Sequence, residues 1–196
     1  MATVLVLVRH GETDWNRDGR LQGHRDIALN DTGRRHAAEA GRRLRTVVGS
    51  ARLPDLHYVS SPLRRARDTM ALLRTELALV PEDAFATDER LTELRFGTWE
   101  GLTWPQVRAL DPAGARARTR HVWSFAPPGG ESYAQLGERL ERWLAGLTED
   151  AVVVSHGGVV RALLVLRAGV PPQEAGGFEV TQGRVLVLAD GRADWV

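Results

Sequence analysis

Two short apolar runs, each ending in a histidine and a glycine, constrain this chain more than any other feature. Val4-Leu5-Val6-Leu7-Val8 leads into Arg9-His10-Gly11-Glu12, and Val152-Val153-Val154-Ser155 leads into His156-Gly157-Gly158. An unbroken run of β-branched and leucine residues reads as a strand buried on both faces, the pattern of a parallel sheet. Such a strand delivers the next residues to its carboxyl end, where open α/β sheets bind ligands. The first run delivers a fixed cation, a potential nucleophile and a glycine that permits a tight turn. Two strands that end alike set two imidazoles side by side, which points to a site rather than a core.

Between and beyond these runs, strand patterns alternate with helical ones, so the chain reads as α/β. Residues 11–30 read as a long polar loop. Ala37, Ala40, Leu44 and Val47 then recur at helical spacing. A strand near Leu56-His57-Tyr58-Val59 runs into Ser61-Pro62, read as the N-cap and first position of a helix. The buried face of that helix carries Leu63, Ala66, Met70, Leu73 and Leu77. A short strand near Ala84-Phe85-Ala86 follows. Residues 97–132 lack long apolar runs and read as an irregular lid with one short helix near Pro105–Leu110. Tyr133, Leu136, Leu140, Trp143 and Leu147 mark an amphipathic helix. Val159–Leu166 reads as a buried helix and Arg184–Leu188 as a last strand.

Composition removes several chemistries. With 196 residues the chain is expected to be one domain, residues 1–196, large enough for a substantial core. A net charge of +1 gives no reason to expect a nucleic-acid partner. There are no cysteines, so disulfides, thiolate metal sites and cysteine nucleophiles are excluded. All 26 basic residues other than histidine are arginine. A Walker-type lysine, a pyridoxal Schiff base and a lysine general base are therefore absent. Nothing at the start resembles an export signal, and no stretch approaches the roughly 20 apolar residues of a membrane span. A soluble, cytoplasmic protein is the expectation, with a homodimer left open.

Several blocks together resemble the histidine phosphatase superfamily, which contains cofactor-dependent phosphoglycerate mutases and many small phosphomonoesterases. The opening block is Leu7-Val8-Arg9-His10-Gly11-Glu12-Thr13 through Asn16 and on to Leu21-Gln22-Gly23, with Leu29-Asn30-Asp31-Thr32-Gly33 as the lead-in to a helix. Ser61 to Thr69 fits Ser-x-Leu-x-Arg-Ala-x-x-Thr. Leu91-Thr92-Glu93, with Phe96-Gly97 and Trp99-Glu100-Gly101, fits an acidic block, and Ser155-His156-Gly157-Gly158 the last one. The resemblance implies a three-layer α/β/α sandwich with a mainly parallel central sheet and a lid insertion at about 97–132. It implies hydrolysis of a small phosphorylated metabolite through a phosphohistidine, without cofactor or metal.

The residue types suit that chemistry. A phosphate monoester is largely a dianion near neutral pH, so catalysis is mainly positioning and electrostatic stabilisation. Arginine offers a planar fork of donors that stays charged, and Arg9 and Arg65 are the candidates. Adjacent helical side chains point roughly 100° apart, so Arg64 and Arg65 are not expected to face the same pocket; the resemblance selects Arg65, and Arg64 is expected at the solvated surface. His10 is the candidate nucleophile if its other ring nitrogen is protonated and held by a backbone carbonyl, with the nearby cations favouring neutral imidazole. His156 is the second imidazole on the phosphoryl oxygens. Glu93 is the candidate acid that protonates the departing alkoxide and then activates water. Thr13, Asn16, Gln22, Gly23 and Gly157 are expected to complete the phosphate pocket, with His24 nearby. Trp99, Trp104, Trp123 and Phe125 are candidates for an apolar wall, at least one of them core instead. Arg116, Arg118 and Arg120 can bind a carboxylate, which keeps a phosphoglycerate mutase as an alternative. A noncatalytic phospholigand-binding protein is the other.

Overall fold

The structure, a computed structural model, describes residues 3–196. In chain order the elements are β1 (Leu5–Arg9), α1 (Asp14–Arg17), α2 (Asp31–Val48), β2 (His57–Ser60), α3 (Arg64–Glu76), β3 (Ala86–Thr87), α4 (Trp104–Leu110), α5 (Pro112–Arg120), α6 (Tyr133–Leu144), β4 (Ala151–Ser155), α7 (Gly157–Ala168), β5 (Val185–Ala189) and β6 (Arg192–Trp195). They build a six-stranded sheet in the order β3-β2-β4-β1-β5-β6. The β3, β2, β4 and β1 pairings are parallel, while β5 and β6 close one side antiparallel.

The alternation of side chains along each strand divides the core into two layers. Leu5, Leu7, Ala151 and Val153 pack with α6 and α7 through Leu136, Leu140, Val159 and Leu163. Val6, Val8, Val152 and Val154 pack with α2 and α3 through Ala40, Leu44, Met70 and Leu73. This is the α/β/α sandwich, mainly parallel, with helices covering both sheet faces.

Register places the site. Arg9 pairs with Ser155 across β1 and β4, and the His10 amide continues the ladder to the Ser155 carbonyl at 2.8 Å. Ser60 pairs with Val154, and the Ser61 amide reaches the Val154 carbonyl at 3.0 Å. Three neighbouring parallel strands therefore end together, at His10, His156 and Ser61.

Four expectations are corrected. The segment 97–132 holds the expected short helix, as α4, and a second one that was not expected, α5; they are opened by Thr103 and Asp111 and each carries proline in its first turn, where no backbone N–H is missed. These helices close a third apolar cluster of Leu21, Trp99 and Val107, tied by Trp99 Nε1 donating to Asp111 at 3.1 Å. Ser61 and Pro62 do not open α3. Leu63 occupies the N-cap position, two residues later, while the Ser61 hydroxyl accepts from the Leu63 amide at 3.3 Å and lies 2.7 Å from His156 Nε2. The loop of residues 11–30 contains α1, capped by Thr13. The strand β6 has no apolar run and escaped the pattern, since it lies at the sheet edge and pairs only with β5.

Candidate active site

The strand ends open into a cavity of about 400 Å³ lined by Arg9, His10, Asn16, Gln22, Gly23, Arg65, Glu93 and Gly157 from the sequence-derived set. Arg118, Tyr133, Gly158 and Arg161 line it as well. His156 is fully buried behind this surface, its ring centroid 5.1 Å from that of His10.

The hydrogen bonds of His10 set its tautomer. Nδ1 lies 2.7 Å from the Gly11 carbonyl, which can only accept, so Nδ1 carries the proton. Arg65 Nε donates to the opposite nitrogen, Nε2, at 3.3 Å, so Nε2 holds the lone pair. Burial, then the guanidiniums of Arg65 and Arg9, hold the His10 pKa well below 6.5. Burial and the same arginines, with His10, hold His156 well below that value too. Both rings are neutral at physiological pH. A neutral imidazole whose unprotonated Nε2 faces the cavity at the end of a strand can act as a nucleophile once an incoming phosphoryl group displaces the long Arg65 contact.

Arg65 is fully buried, and burial lowers its pKa to about 10, leaving it charged near neutrality. Its remaining fork donates to the carbonyls of Arg25 at 2.6 Å and Gly23 at 2.8 Å. The charged group thus fixes the loop that brings Gln22 and Gly23 to the cavity. Gly23 takes φ +51°, and a Cβ there would lie 2.1 Å from Glu100 Oε1. Glu100 also accepts from the His24 and Phe96 amides, so it holds this loop against the acidic block. Arg9 donates to the Val180 carbonyl at 2.8 Å, while its Nε is buried with no partner among the described residues. Arg64 is exposed and pairs with Asp68 at 3.4 Å, as expected.

Glu93 stands at the N-terminal end of α7. Its carboxylate accepts from the Gly158 amide at 3.1 and 3.3 Å and from the Leu94 amide at 2.8 Å. A Cβ at Gly158 would lie 2.3 Å from Glu93 Oε1, so only glycine admits this approach. Behind Glu93, Arg139 pairs with Glu131 at 2.8 Å and donates to the carbonyls of Arg90, Thr92 and Glu93. His24 does not line the cavity. Its Nε2 donates to the Glu93 carbonyl at 2.8 Å and steadies the same loop.

Asn16 Oδ1 accepts from the Thr13 amide, the Thr13 hydroxyl and Gln182 Nε2, which leaves its amide N–H groups to donate. Thr13 is corrected: it is fully buried, its hydroxyl belongs to the cap of α1, and it is not part of the cavity wall. Of the four aromatic wall candidates only Trp104 lines the cavity, where Phe96 and Tyr133 join it. Trp99 is core, Phe125 stacks on Trp99, and Trp123 stacks on Tyr133.

Several contributors escaped the sequence reading. Gln182 donates to the His10 carbonyl at 3.0 Å from the loop before β5 and carries no local signal. Arg161 lies inside an apolar helical run, where a lone arginine was itself a signal. Thr69, quoted only as part of a pattern, accepts from the Gly11 amide at 3.0 Å and donates to the Arg65 carbonyl at 2.6 Å. It thereby ties β1's end to α3. No group of three or more histidine, aspartate or glutamate side chains able to hold a metal ion occurs among the described residues.

Guanidiniums around a neutral nucleophilic imidazole, with a carboxylate facing them, define an enzyme that transfers phosphoryl groups. The chain belongs to the histidine phosphatase superfamily, branch 1, whose family model matches residues 5–196. A metal-independent phosphoserine phosphatase from Arabidopsis thaliana is 37% identical over 167 residues, covering 82% of this chain and 67% of that protein. A 2,3-bisphosphoglycerate-dependent phosphoglycerate mutase from a Methylobacterium strain is 33% identical over 196 residues, covering 95% and 91%. Among solved structures, mycobacterial glucosyl-3-phosphoglycerate phosphatase in complex with VO3 superposes with a TM-score of 0.79 at 33% identity, covering 100% of this chain and 97% of that one. The chain is a phosphomonoester hydrolase of the metal-independent histidine phosphatase type. Among the described residues, no helix is long and apolar enough to cross a membrane.

Proposed function

We propose that the cavity hydrolyses small phosphomonoesters in two displacements, with His10 as the nucleophile. His10 Nε2 attacks phosphorus, the phosphorus–oxygen ester bond breaks, and the leaving alkoxide takes a proton from the Glu93 carboxyl. A water molecule then attacks phosphorus as the Glu93 carboxylate takes its proton; the new phosphorus–oxygen bond forms, the phosphorus–nitrogen bond breaks with its electron pair returning to Nε2, and inorganic phosphate and neutral His10 result. Arg9, Arg65, the Asn16 amide and His156 stabilise the charged oxygens throughout, as the unpartnered Arg9 Nε and His156 Nδ1 await acceptors. Gln22, Gly23 and Gly157 shape the wall around them.

The observation that carries this reading is the His10 tautomer: the Gly11 carbonyl holds Nδ1–H and leaves Nε2 unprotonated at the cavity. Its test is hydrolysis of p-nitrophenyl phosphate with chelator present. Wild-type turnover is expected to survive the chelator and to vanish in His10→Ala, and persistent turnover in the variant rejects His10 as nucleophile.

The likeness to a mutase supports a second reading, in which the phosphoryl group returns to a bound acceptor. Product analysis separates the two, because hydrolysis yields inorganic phosphate and the mutase yields an isomeric ester. Retained phosphate without either product would indicate a binding protein.

A further inference from the structure

His156 has a single ring proton to place. Burial, and then the charge of Arg65, hold its pKa well below 6.5, so near neutral pH the ring is protonated on Nδ1 or on Nε2 but not on both. The choice matters, because a phosphoryl oxygen needs a donor and is repelled by a nitrogen lone pair. Nδ1 is buried without a partner among the described residues, while Nε2 lies 2.7 Å from the Ser61 hydroxyl.

The sheet brings these two side chains together. Ser61 follows β2 and His156 follows β4, and the Ser61 amide extends the ladder between the strands to the Val154 carbonyl at 3.0 Å. Both residues are fully buried, so their polar atoms must be matched within the fold or by what enters the cavity.

A serine hydroxyl has one proton to give and two lone pairs to receive. The Leu63 amide donates into the Ser61 hydroxyl at 3.3 Å, and among the described residues only His156 Nε2 is placed to take the hydroxyl proton. Two arrangements are then open. If His156 donates from Nε2, the Ser61 proton has no acceptor and the Nδ1 lone pair has no donor, which orphans two buried groups. If Ser61 donates, only the Nδ1 proton lacks a partner, and a bound phosphoryl oxygen supplies one. Each unmatched buried group costs free energy, so the second arrangement wins. The helix agrees with it. His156 is the N-cap residue of α7, where a side-chain acceptor ordinarily takes an amide of the first turn, yet its side chain makes no such bond. The Gly158 amide goes to the Glu93 carboxylate instead.

We propose that Ser61 is a positioning residue: its hydroxyl donates to His156 Nε2, confines the ring proton to Nδ1, and so makes His156 a donor to the phosphoryl oxygens. This inference rests on the phosphatase reading of the same cavity.

The test is a long-range proton–nitrogen correlation spectrum of the whole protein, labelled with heavy nitrogen in its histidines, near neutral pH. His156→Gln identifies the His156 signals by their loss. Wild type is expected to show His156 protonated on Nδ1 and bare on Nε2. Ser61→Ala is expected to lose that preference, and its kcat/KM on p-nitrophenyl phosphate to fall roughly tenfold, the scale of one buried hydrogen bond. Ser61→Thr keeps the hydroxyl and is expected to recover both. A proton on Nε2 in wild type, alone or beside one on Nδ1, overturns the inference and leaves the phosphatase reading standing. So does Ser61→Ala with full turnover, or with reduced turnover and an unchanged Nδ1–H ring, which would mark Ser61 as serving the fold alone. If Ser61→Ala does not fold, the wild-type spectrum decides. Absence of wild-type turnover on p-nitrophenyl phosphate counts against the phosphatase reading, whichever nitrogen holds the proton.

Discussion

Two fully buried neutral imidazoles make this fold sensitive to mild acid, and the effect can be sized. His10 is 2% exposed and His156 is 0% exposed, and both are held well below the ordinary 6.5 by burial, with Arg65 the leading charge. Above pH 6.5 the folded and unfolded chains both carry neutral rings at these positions, and no pH dependence arises. As the pH falls from 7 to 5 the unfolded chain takes up a proton at each, while the folded chain refuses it. The unfolded state then binds more protons, so stability falls as the pH falls. Proton uptake by the unfolded chain caps the loss over that interval at about 2 kcal/mol for each ring, and about 4 kcal/mol for the two. That is a large share of the 5–15 kcal/mol that typically holds a domain folded. The assay is urea unfolding at pH 7 and pH 5 at fixed ionic strength, for wild type and for His10→Gln/His156→Gln. Other titrating groups are common to both proteins and largely cancel in the difference. Wild type should lose more than the double variant, with about 4 kcal/mol as the ceiling set by proton uptake in the unfolded chain. Parallel losses, within about 1 kcal/mol, would refute the assignment of two neutral rings.

Two further outcomes follow from the hydrogen bonds around the site. Glu93→Gln removes the proton donor, so turnover of an alkyl phosphate should fall by roughly 10²–10⁴, and that of p-nitrophenyl phosphate, whose leaving group needs no proton, far less in the first step; rapid-mix kinetics on both esters check this. Thr69→Val leaves the buried Gly11 amide without its acceptor and should cost about 1–3 kcal/mol, visible as a melting temperature several degrees lower, with turnover falling as the His10 loop loosens.

The parts of this structure that could be read in the sequence share one physical property: strand geometry leaves little choice. An apolar run buried on both faces must end at the sheet edge, so His10 and His156 were placed by their strands alone, and the register of β1 on β4 only made them neighbours. Arg65 was legible through the block Ser61–Thr69, since helix geometry alone only said that Arg64 and Arg65 face different ways; in the fold Arg65 is buried and Arg64 exposed. The lid was less legible. Its short helix at Pro105–Leu110 was legible, but α5 buries no residue and Pro112 reads as a break until its position in a first turn is known. Ser61 gave a correct signal with the wrong consequence: a serine before proline commonly caps a helix, yet here its hydroxyl lies 2.7 Å from His156 Nε2. Arg118, Arg161 and Gln182 reach the cavity from α5, α7 and the loop before β5, and only tertiary packing brings those three together with β1.

The measurement closest to the central claim is direct capture of the phosphorylated enzyme. The protein is mixed rapidly with p-nitrophenyl phosphate, quenched in alkali, digested and analysed by mass spectrometry. One phosphoryl group is expected on His10, stable in base, lost in acid, absent from His10→Ala, and accumulating in Glu93→Gln because the second displacement lacks its base. A phosphoryl group on any other residue, or turnover that persists in His10→Ala, would contradict the account.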